Sequence, residues 1–261
     1  MLTETTTDNG MRIWHSQPAT ETPLPLVLLL HERYGPVEHT FNVLERFAEA
    51  GFIAATPDLF HRFPGERGPI ERAEERIDTI DSEAVTDIDA TLDYLRSLSY
   101  VDGGQVGVAG FCLSGRTPLV YAVARPEQVA AISIAHGGIY PRDYHGDKPG
   151  QASVADLIPQ IHCPILGMFG EADRSVPMEN ISRFRSDLER NKLNYWIQVF
   201  GDTPHGWMNT TEPERYRELQ SDLAWNTLKK FYSSVFSSHW SKDSLTWRFE
   251  SDVNMKYNFS V

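Results

Sequence analysis

The amino-acid sequence predicts a three-layer α/β sandwich, with a mostly parallel central sheet and helices on both faces. Short apolar runs alternate along the chain with longer segments in which apolar residues recur every three or four positions. Most of the runs are apolar on both faces, which is typical of parallel strands covered by helices on either side. The runs span residues 26–31, 52–56, 105–110, 129–135, 165–169 and 195–200.

Amphipathic periodicity predicts the helices between these strands. Residues 38–50 place Phe41, Leu44 and Phe47 on one face, and the glycine at position 51 can cap the C-terminus of the helix. The same spacing predicts helices over residues 71–97, 177–193 and 213–236. Alternation of strands and helices in this order favours right-handed crossovers within a single sheet.

The two ends of the chain depart from this alternation. The pair Asn9-Gly10 lies between two short segments, which predicts an N-terminal hairpin added to one edge of the sheet. Residues 1–236 are expected to form one domain, with an ordered insertion at about 137–160 that shapes the pocket. Residues 237–261 form a C-terminal extension, in which alternating apolar residues indicate a hairpin.

Composition narrows the class of function. The net charge of −12 disfavours nucleic acid and anionic membrane surfaces as partners, because both bind clustered Lys and Arg. No apolar stretch reaches membrane-spanning length, and the N-terminus lacks the pattern of a signal peptide. The two cysteines, Cys112 and Cys163, make a disulfide scaffold improbable. These features favour a cytoplasmic enzyme, either a monomer or a homodimer.

A candidate nucleophile lies where an apolar strand runs into a turn. The sequence Gly110-x-Cys112-x-Ser114-Gly is followed by a helical stretch, and such an elbow requires small residues two positions before and after the nucleophile. Ser114 is a poorer candidate for the nucleophile. If it were the nucleophile, Arg116 would occupy the second of the two positions that require a small residue. The alternative interpretation of Cys112 is a buried structural cysteine at a strand end.

Two later loops supply a possible base and acid. Asp173 follows the run 165–169, and His205 follows the run 195–200, so both lie past the carboxyl ends of predicted strands. Ligands of open α/β sheets bind at this edge, and the chain order nucleophile, acid, histidine is typical of one class of hydrolase. Glu171 is an alternative acid.

With these motifs the sequence resembles the dienelactone hydrolase family over about residues 24–236. The resemblance implies an α/β-hydrolase three-layer sandwich and an enzyme that cleaves a small lactone or ester through an acyl-thioester, without a cofactor. It is carried by Gly110-Phe-Cys-Leu-Ser-Gly, Gly170-x-x-Asp173-x-x-Val-Pro, His205-Gly206-Trp207 and His31-Glu32-x-Tyr34-Gly35.

The resemblance also implies a role for individual residues. Cys112 corresponds to the nucleophile, His205 to the base and Asp173 to the group that orients it. Glu32 corresponds to an extra carboxylate that contacts the resting thiol and moves aside when substrate binds. The oxyanion hole is expected from the backbone N–H of Leu113 and from the turn around Glu32 and Arg33.

Substrate contacts are expected from aromatic residues on the strand-end loops, and from the residue four positions after the histidine. Family members that bind the dienelactone carboxylate carry arginine at that position, whereas this chain has Asn209. The change predicts a neutral or aromatic substrate, although Arg72 or Arg76 could still contact an anion. The aromatic candidates are Tyr34, Phe60, Tyr140 and Trp207.

Several alternatives remain open. A carboxylesterase or acyltransferase could use the same residues on an acyclic ester or thioester, and a non-catalytic member would bind a small ligand. No metal site is expected, because the histidines lack the spacing of metal-binding motifs. The sequence His136-Gly137-Gly138 is interpreted as an ordinary turn.

Overall fold

A computed structural model describes residues 2–16, 19, 22–146, 148–240 and 244–253. Its centre is a nine-stranded sheet in the order β1-β2-β4-β3-β5-β6-β7-β8-β9. The strands are β1 (Leu2–Thr6), β2 (Arg12–Ser16), β3 (Leu24–Leu30), β4 (Ile53–Pro57), β5 (Val101–Phe111), β6 (Ala131–Ala135), β7 (Ile165–Gly170), β8 (Tyr195–Phe200) and β9 (Trp247–Ser251).

All neighbouring strands from β4 to β9 in this order pair in parallel. The first two strands form an antiparallel hairpin around Asn9-Gly10, and β2 pairs antiparallel with β4. Gly10 adopts a φ of 84°, a conformation that glycine reaches without steric cost. The prediction of a mostly parallel sheet is therefore confirmed.

Helices cover both faces of the sheet. In β3, Leu26, Leu28 and Leu30 belong to one buried cluster, whereas Val27 and Leu29 belong to the other. Helices α3, α4 and α7 contribute to the first cluster, and α1 and α8 contribute to the second. The helices are α1 (Glu38–Glu49), α2 (Gly68–Glu71), α3 (Asp81–Arg96), α4 (Thr117–Ala124), α5 (Pro141–His145), α6 (Val154–Leu157), α7 (Met178–Arg190) and α8 (Glu218–Phe236).

The predicted helix over residues 71–97 is wrong in its first third, because residues 72–80 are irregular and α3 begins at Asp81. Ala73 has a φ of 61°, which breaks a right-handed helix. The segment is instead bonded to the loop before α6. The side chain of Gln151 donates to the Thr79 carbonyl at 2.7 Å, and Asp81 accepts the N–H of Ala152 at 2.7 Å.

The C-terminal extension adds β9, which lies parallel to β8 with Tyr195 opposite Trp247. The second half of the predicted hairpin falls on residues 254–261, outside the described residues. Within the part of the chain that the structure describes, no helix is long and apolar enough to cross a membrane.

Candidate active site

The turn after β5 holds Cys112 in a strained position. Cys112 is the first residue of a 3₁₀ helix, Cys112–Arg116, and has a φ of 52°. Few residues other than glycine occupy this region, and the conformation costs on the order of 1–3 kcal/mol. A Cβ at Gly110 would lie 2.4 Å from the Ser114 carbonyl oxygen, so only glycine fits there.

Ser114 fastens this turn to the neighbouring strand. Its hydroxyl is buried, donates to the Leu30 carbonyl at 2.7 Å and accepts the N–H of Phe111 at 3.2 Å. These bonds occupy the hydroxyl at the base of the turn. They also tie the end of β5 to the end of β3, whose following turn contains Glu32 and Arg33.

Hydrogen bonds join the three residues predicted to act together, in the order Cys112, His205, Asp173. Nε2 of His205 is 3.1 Å from Sγ of Cys112, and Nδ1 of His205 is 2.7 Å from Oδ2 of Asp173. The second oxygen of Asp173 accepts the N–H groups of Ser175 at 2.8 Å and Val176 at 3.2 Å. Asp173 is thereby fixed in place, and it is 2% exposed.

The alternative acid, Glu171, lies elsewhere. Its carboxylate accepts the backbone N–H of Asp202 at 2.9 Å, and it makes no described contact with His205. The loops after β7 and β8 pack closely, since a Cβ at Gly170 would lie 2.1 Å from the Thr203 carbonyl oxygen. This close approach brings Asp173 and His205 together.

The environment of His205 favours its protonated form. Burial lowers the pKa, but the hydrogen bonds to Asp173 and Cys112 outweigh burial and raise the pKa of His205 to about 10. A protonated ring donates from Nδ1 to Asp173 and from Nε2 to the sulfur. The geometry can therefore support an ion pair between the imidazolium and a Cys112 thiolate.

Glu32 lies in a buried chamber beside this group and is 5% exposed. Oε2 of Glu32 accepts from Nδ2 of Asn209 at 3.4 Å, and its oxygens lie 3.6 Å from Nε2 of His136 and 3.9 Å from Nε2 of His39. Burial raises the pKa of Glu32 to about 7 and lowers the pKa of His39 to about 4.

The expected contact between Glu32 and the resting thiol is not formed in this structure. Within the described residues, the hydrogen bonds to Sγ come from His205 and from the hydroxyl of Tyr140, at 3.9 Å for the latter. The Glu32 carboxyl instead accepts a hydrogen bond from the side-chain amide of Asn209 at 3.4 Å.

Cys112 and His205 open onto a cavity of about 700 Å³. Tyr34, Tyr140 and Asn209 line it, as does Glu32. Five arginines also line it, against two acidic residues, Glu32 and Glu212. The arginines are Arg33, Arg76, Arg142, Arg174 and Arg215.

Most of these arginines lack a close carboxylate. Arg76 lies 3.2 Å from Asp78, and Arg142 lies 3.8 Å from Asp143. Within the described part of the chain, Arg33, Arg174 and Arg215 form no ion pair. The cavity is thus locally positive in a protein of net charge −12, and such a cleft attracts anions.

Two predicted substrate contacts lie away from the cavity. Trp207 is fully buried, with its ring 5.5 Å from Phe200 and 5.2 Å from His136, so it fills the core instead. Phe60 packs edge-on against His31 at 4.6 Å and lines a neighbouring cleft. Large aromatic rings gain most from full burial, which accounts for both positions. Arg72 also lies outside the cavity, and it pairs with Glu74 at 2.8 Å.

The two residues expected to form an oxyanion hole come from adjacent turns. Leu30 of β3 lies opposite Gly110 of β5, so the turns that follow the two strands start side by side. Leu113 is the second residue of its 3₁₀ helix, and an N–H at that position has no partner within the helix. Arg33 lines the cavity together with Cys112.

Sequence reasoning missed His136, which lies behind Cys112. His136 follows β6, is fully buried, and its ring centre lies 5.2 Å from that of His205. The two glycines that follow it pack against the turn that begins at Cys112, since a Cβ at Gly137 would lie 2.1 Å from the Cys112 carbonyl oxygen. Two successive glycines after a buried strand were the signal for this close approach.

Cys112, His136 and His205 are the described residues that could hold a metal together.

The chain matches the model of the Dienelactone hydrolase family over residues 11–236. It is 28% identical over 233 residues to a protein of Escherichia coli strain K12 named "Putative carboxymethylenebutenolidase", covering 86% of this chain and 82% of that relative. A protein of Methylorubrum extorquens with the same name is 23% identical over 236 residues and is matched over 77% of its length.

Solved structures show the same fold. A protein of Klebsiella pneumoniae described as a "Putative Dienelactone Hydrolase" matches with a TM-score of 0.79 and 21% identity, over 89% of this chain and 98% of its own. A dienelactone hydrolase-like promiscuous phosphotriesterase from metagenomic libraries matches with a TM-score of 0.71 and 20% identity, over 90% and 98%.

Proposed function

The chain belongs to the dienelactone hydrolase family, and from this we propose that it hydrolyses a small anionic lactone or ester with Cys112 as nucleophile. The observation that carries the proposal is the line of hydrogen bonds from Sγ through His205 to Asp173, at 3.1 and 2.7 Å, beneath a cavity lined by arginines. A nucleophile, a base and an orienting acid are the parts that acyl transfer requires.

In the proposed reaction, the Cys112 thiolate attacks the carbonyl carbon and forms a carbon–sulfur bond. The backbone N–H groups of Leu113 and Arg33 are the candidates to stabilise the resulting oxyanion. When the tetrahedral intermediate collapses, the ring or ester C–O bond breaks and the imidazolium of His205 protonates the departing oxygen. An acyl-thioester remains on Cys112.

Water then completes the turnover. Neutral His205 removes a proton from water, and the resulting hydroxide attacks the thioester carbonyl. The C–S bond breaks, the carboxylic acid leaves, and the thiolate–imidazolium pair is restored. Asp173 keeps the imidazole in the tautomer that presents Nε2 to the sulfur.

The arginines favour an anionic substrate, and they revise the expectation of a neutral one drawn from Asn209. The name of the relatives describes an enzyme acting on a butenolide, a lactone, with a carboxymethylene substituent. A charge-assisted hydrogen bond to such a carboxylate contributes about 1.5–3 kcal/mol, or roughly 10- to 150-fold in specificity. We expect the charged lactone to be preferred over its neutral methyl ester by this ratio.

A matched pair of substrates tests the proposal. The kcat/KM of the wild-type protein is measured for a carboxylated butenolide and for its methyl ester, and Cys112→Ala is measured beside it. We expect a preference for the charged lactone, no turnover by Cys112→Ala, and a trapped acyl adduct on Cys112 in mass spectra. Turnover by Cys112→Ala above a few per cent of wild type would refute the nucleophile, and equal kcat/KM values would refute the anionic substrate.

A further inference from the structure

The fully buried His136 has no assigned part in the proposed reaction. Neither of its ring nitrogens has a hydrogen-bond partner among the described residues, although a buried polar atom without a partner costs about 1–3 kcal/mol. A ring nitrogen of His136, a ring nitrogen of His205 and Sγ of Cys112 all lie within 4.8 Å of one another. An unpartnered buried imidazole at this place has the position of a ligand.

We propose that Cys112, His136 and His205 form a binding site for Zn²⁺, and that its occupation reversibly blocks the nucleophile. One thiolate and two imidazoles are ligands that zinc prefers, and three protein ligands leave a fourth position for water. Because Cys112 lines the open cavity, water and the ion reach the site from there.

The distances require only a small adjustment. Zinc binds sulfur at about 2.3 Å and nitrogen at about 2.0–2.1 Å, which in a tetrahedron places ligand atoms roughly 3.3–3.6 Å apart. The pair formed by Sγ and Nε2 of His205, at 3.1 Å, is already near this separation. The remaining separations between ligand atoms are up to 4.8 Å, so the ring of His136 has to move by about 1 Å toward the other two ligands.

A carboxyl group lies near each of the two imidazole rings. Metal-ligating histidines usually donate their second ring N–H to a carboxylate, which fixes the tautomer and strengthens the ligand. Asp173 accepts from Nδ1 of His205 at 2.7 Å, which leaves Nε2 for the metal. Oε1 of Glu32 lies 3.6 Å from Nε2 of His136, beyond hydrogen-bonding distance, so Glu32 would accept that N–H only after the ring moves, with Nδ1 then binding the metal.

Metal binding and turnover exclude each other at this site. The ion takes the sulfur electron pair that attacks the carbonyl and the Nε2 electron pair that carries the proton. One proton, shared between Sγ and Nε2 in the free protein, passes to solvent when the two ligands bind the metal. The effect on turnover rests on the proposed function, whereas occupancy of the site is independent of it.

Cobalt absorbance tests occupancy without any substrate. The full-length protein, freed of metal by a chelator and kept reduced, is titrated with Co²⁺, and Zn²⁺ is then added as a competitor. We expect a thiolate-to-cobalt charge-transfer band and the visible bands of tetrahedral cobalt, both lost as Zn²⁺ displaces the probe. Addition of Zn²⁺ should also inhibit hydrolysis, and a chelator should restore it.

Three variants separate the ligands. His136→Phe keeps an aromatic ring against His205 and Trp207 but cannot bind metal, so we expect at least about tenfold weaker cobalt binding. Cys112→Ala should lose the charge-transfer band. His39→Phe is the matched control, because it alters another buried histidine near Glu32 that lies outside the donor set, and its cobalt affinity should equal that of the wild type.

Wild-type affinity in His136→Phe, a charge-transfer band in Cys112→Ala, or the absence of cobalt bands in the wild type would each overturn the proposal. Cobalt binding by a protein that hydrolyses no lactone would refute the proposed function and leave the metal site standing. Hydrolysis without cobalt binding would do the opposite.

Discussion

Replacing Glu32 by glutamine should change how the stability of the protein depends on pH. Glutamine has the shape of the protonated acid, and its carbonyl can still accept the hydrogen bond from Asn209, which spans 3.4 Å in the wild type. The substitution therefore removes the ionisable group from a chamber in which Glu32 is 5% exposed, and leaves the packing nearly unchanged.

The magnitude follows from the displaced ionisation of Glu32, whose pKa rises from 4.5 to about 7 on folding because of burial. Below pH 4.5 the group is protonated in both states and does not affect the free energy of unfolding. Between pH 4.5 and about 7 the unfolded chain has lost the proton while the folded protein keeps it, so stability falls as pH rises. Each tenfold displacement of this equilibrium is worth about 1.4 kcal/mol, which gives a loss of roughly 3 kcal/mol above pH 7.

Urea unfolding at pH 5 and pH 8 measures this effect. The free energy of unfolding of Glu32→Gln, relative to the wild type, should rise by roughly 2–3 kcal/mol between the two conditions. Glu45→Gln removes the same charge from an exposed position on α1 and is the matched control, with an expected change within about 0.5 kcal/mol. A change in Glu32→Gln no larger than in this control would mean that Glu32 is ionised in the folded protein, and would refute the reasoning.

Three further predictions concern the cavity and the nucleophile turn. Arg174→Gln and Arg215→Gln should each lower kcat/KM for a carboxylated lactone by about 10- to 150-fold and leave kcat/KM for its methyl ester unchanged. Arg72→Gln is the control, because Arg72 lies outside the cavity, and it should change neither value. Equal losses of kcat/KM on both substrates would contradict a direct contact with the anion. Asp173→Asn should lower kcat by about 10⁴-fold, and His205→Ala should lower it by more. The kcat of Glu171→Gln should stay near that of the wild type. A larger loss of kcat in Glu171→Gln than in Asp173→Asn would show that the acid is misassigned. Gly137→Ala should abolish most activity and lower the free energy of unfolding by about 1–3 kcal/mol, because its Cβ would meet the Cys112 backbone at 2.1 Å. Gly104→Ala serves as the control, because the atom nearest to its Cβ would be 3.4 Å away. Unchanged kinetics in Gly137→Ala would argue against the close approach of Gly137 to Cys112.

Local pattern predicted the sheet because each strand carries its own signature. Leu26 and Val27 face opposite clusters, so both faces of β3 had to be apolar, and the sequence shows this directly. Turn chemistry was equally local at Asn9-Gly10 and at Gly110-x-Cys112. Residues 72–80 escaped prediction because long-range bonds, such as that from Gln151 to the Thr79 carbonyl, decide their conformation.

The lining of the cavity was harder to predict than the turn around Cys112. Arg33, Arg142, Arg174 and Arg215 lie on four separate segments of the chain, and only the folded sheet brings them to one opening. Asn209 predicts a neutral substrate from a single position, whereas the arginines that line the cavity come from distant loops and favour an anion. Trp207 is buried and does not line the cavity, and the side to which its ring points could not be predicted because it depends on the core behind it.

The strand β9 has a consequence for how the molecule avoids self-association. Because β9 pairs with β8 from Tyr195 to Val199, the buried strand β8 does not lie at the edge of the described sheet. Among the described residues, β9 forms the edge on this side of the sheet, where Trp247 is 47% exposed but Arg248 and Glu250 put charges of both signs along the strand. Charged side chains on a terminal strand discourage the addition of further strands from neighbouring chains. Within the described part of the chain, β9 thus gives this edge of the sheet a charged strand of the kind that disfavours edge-to-edge aggregation.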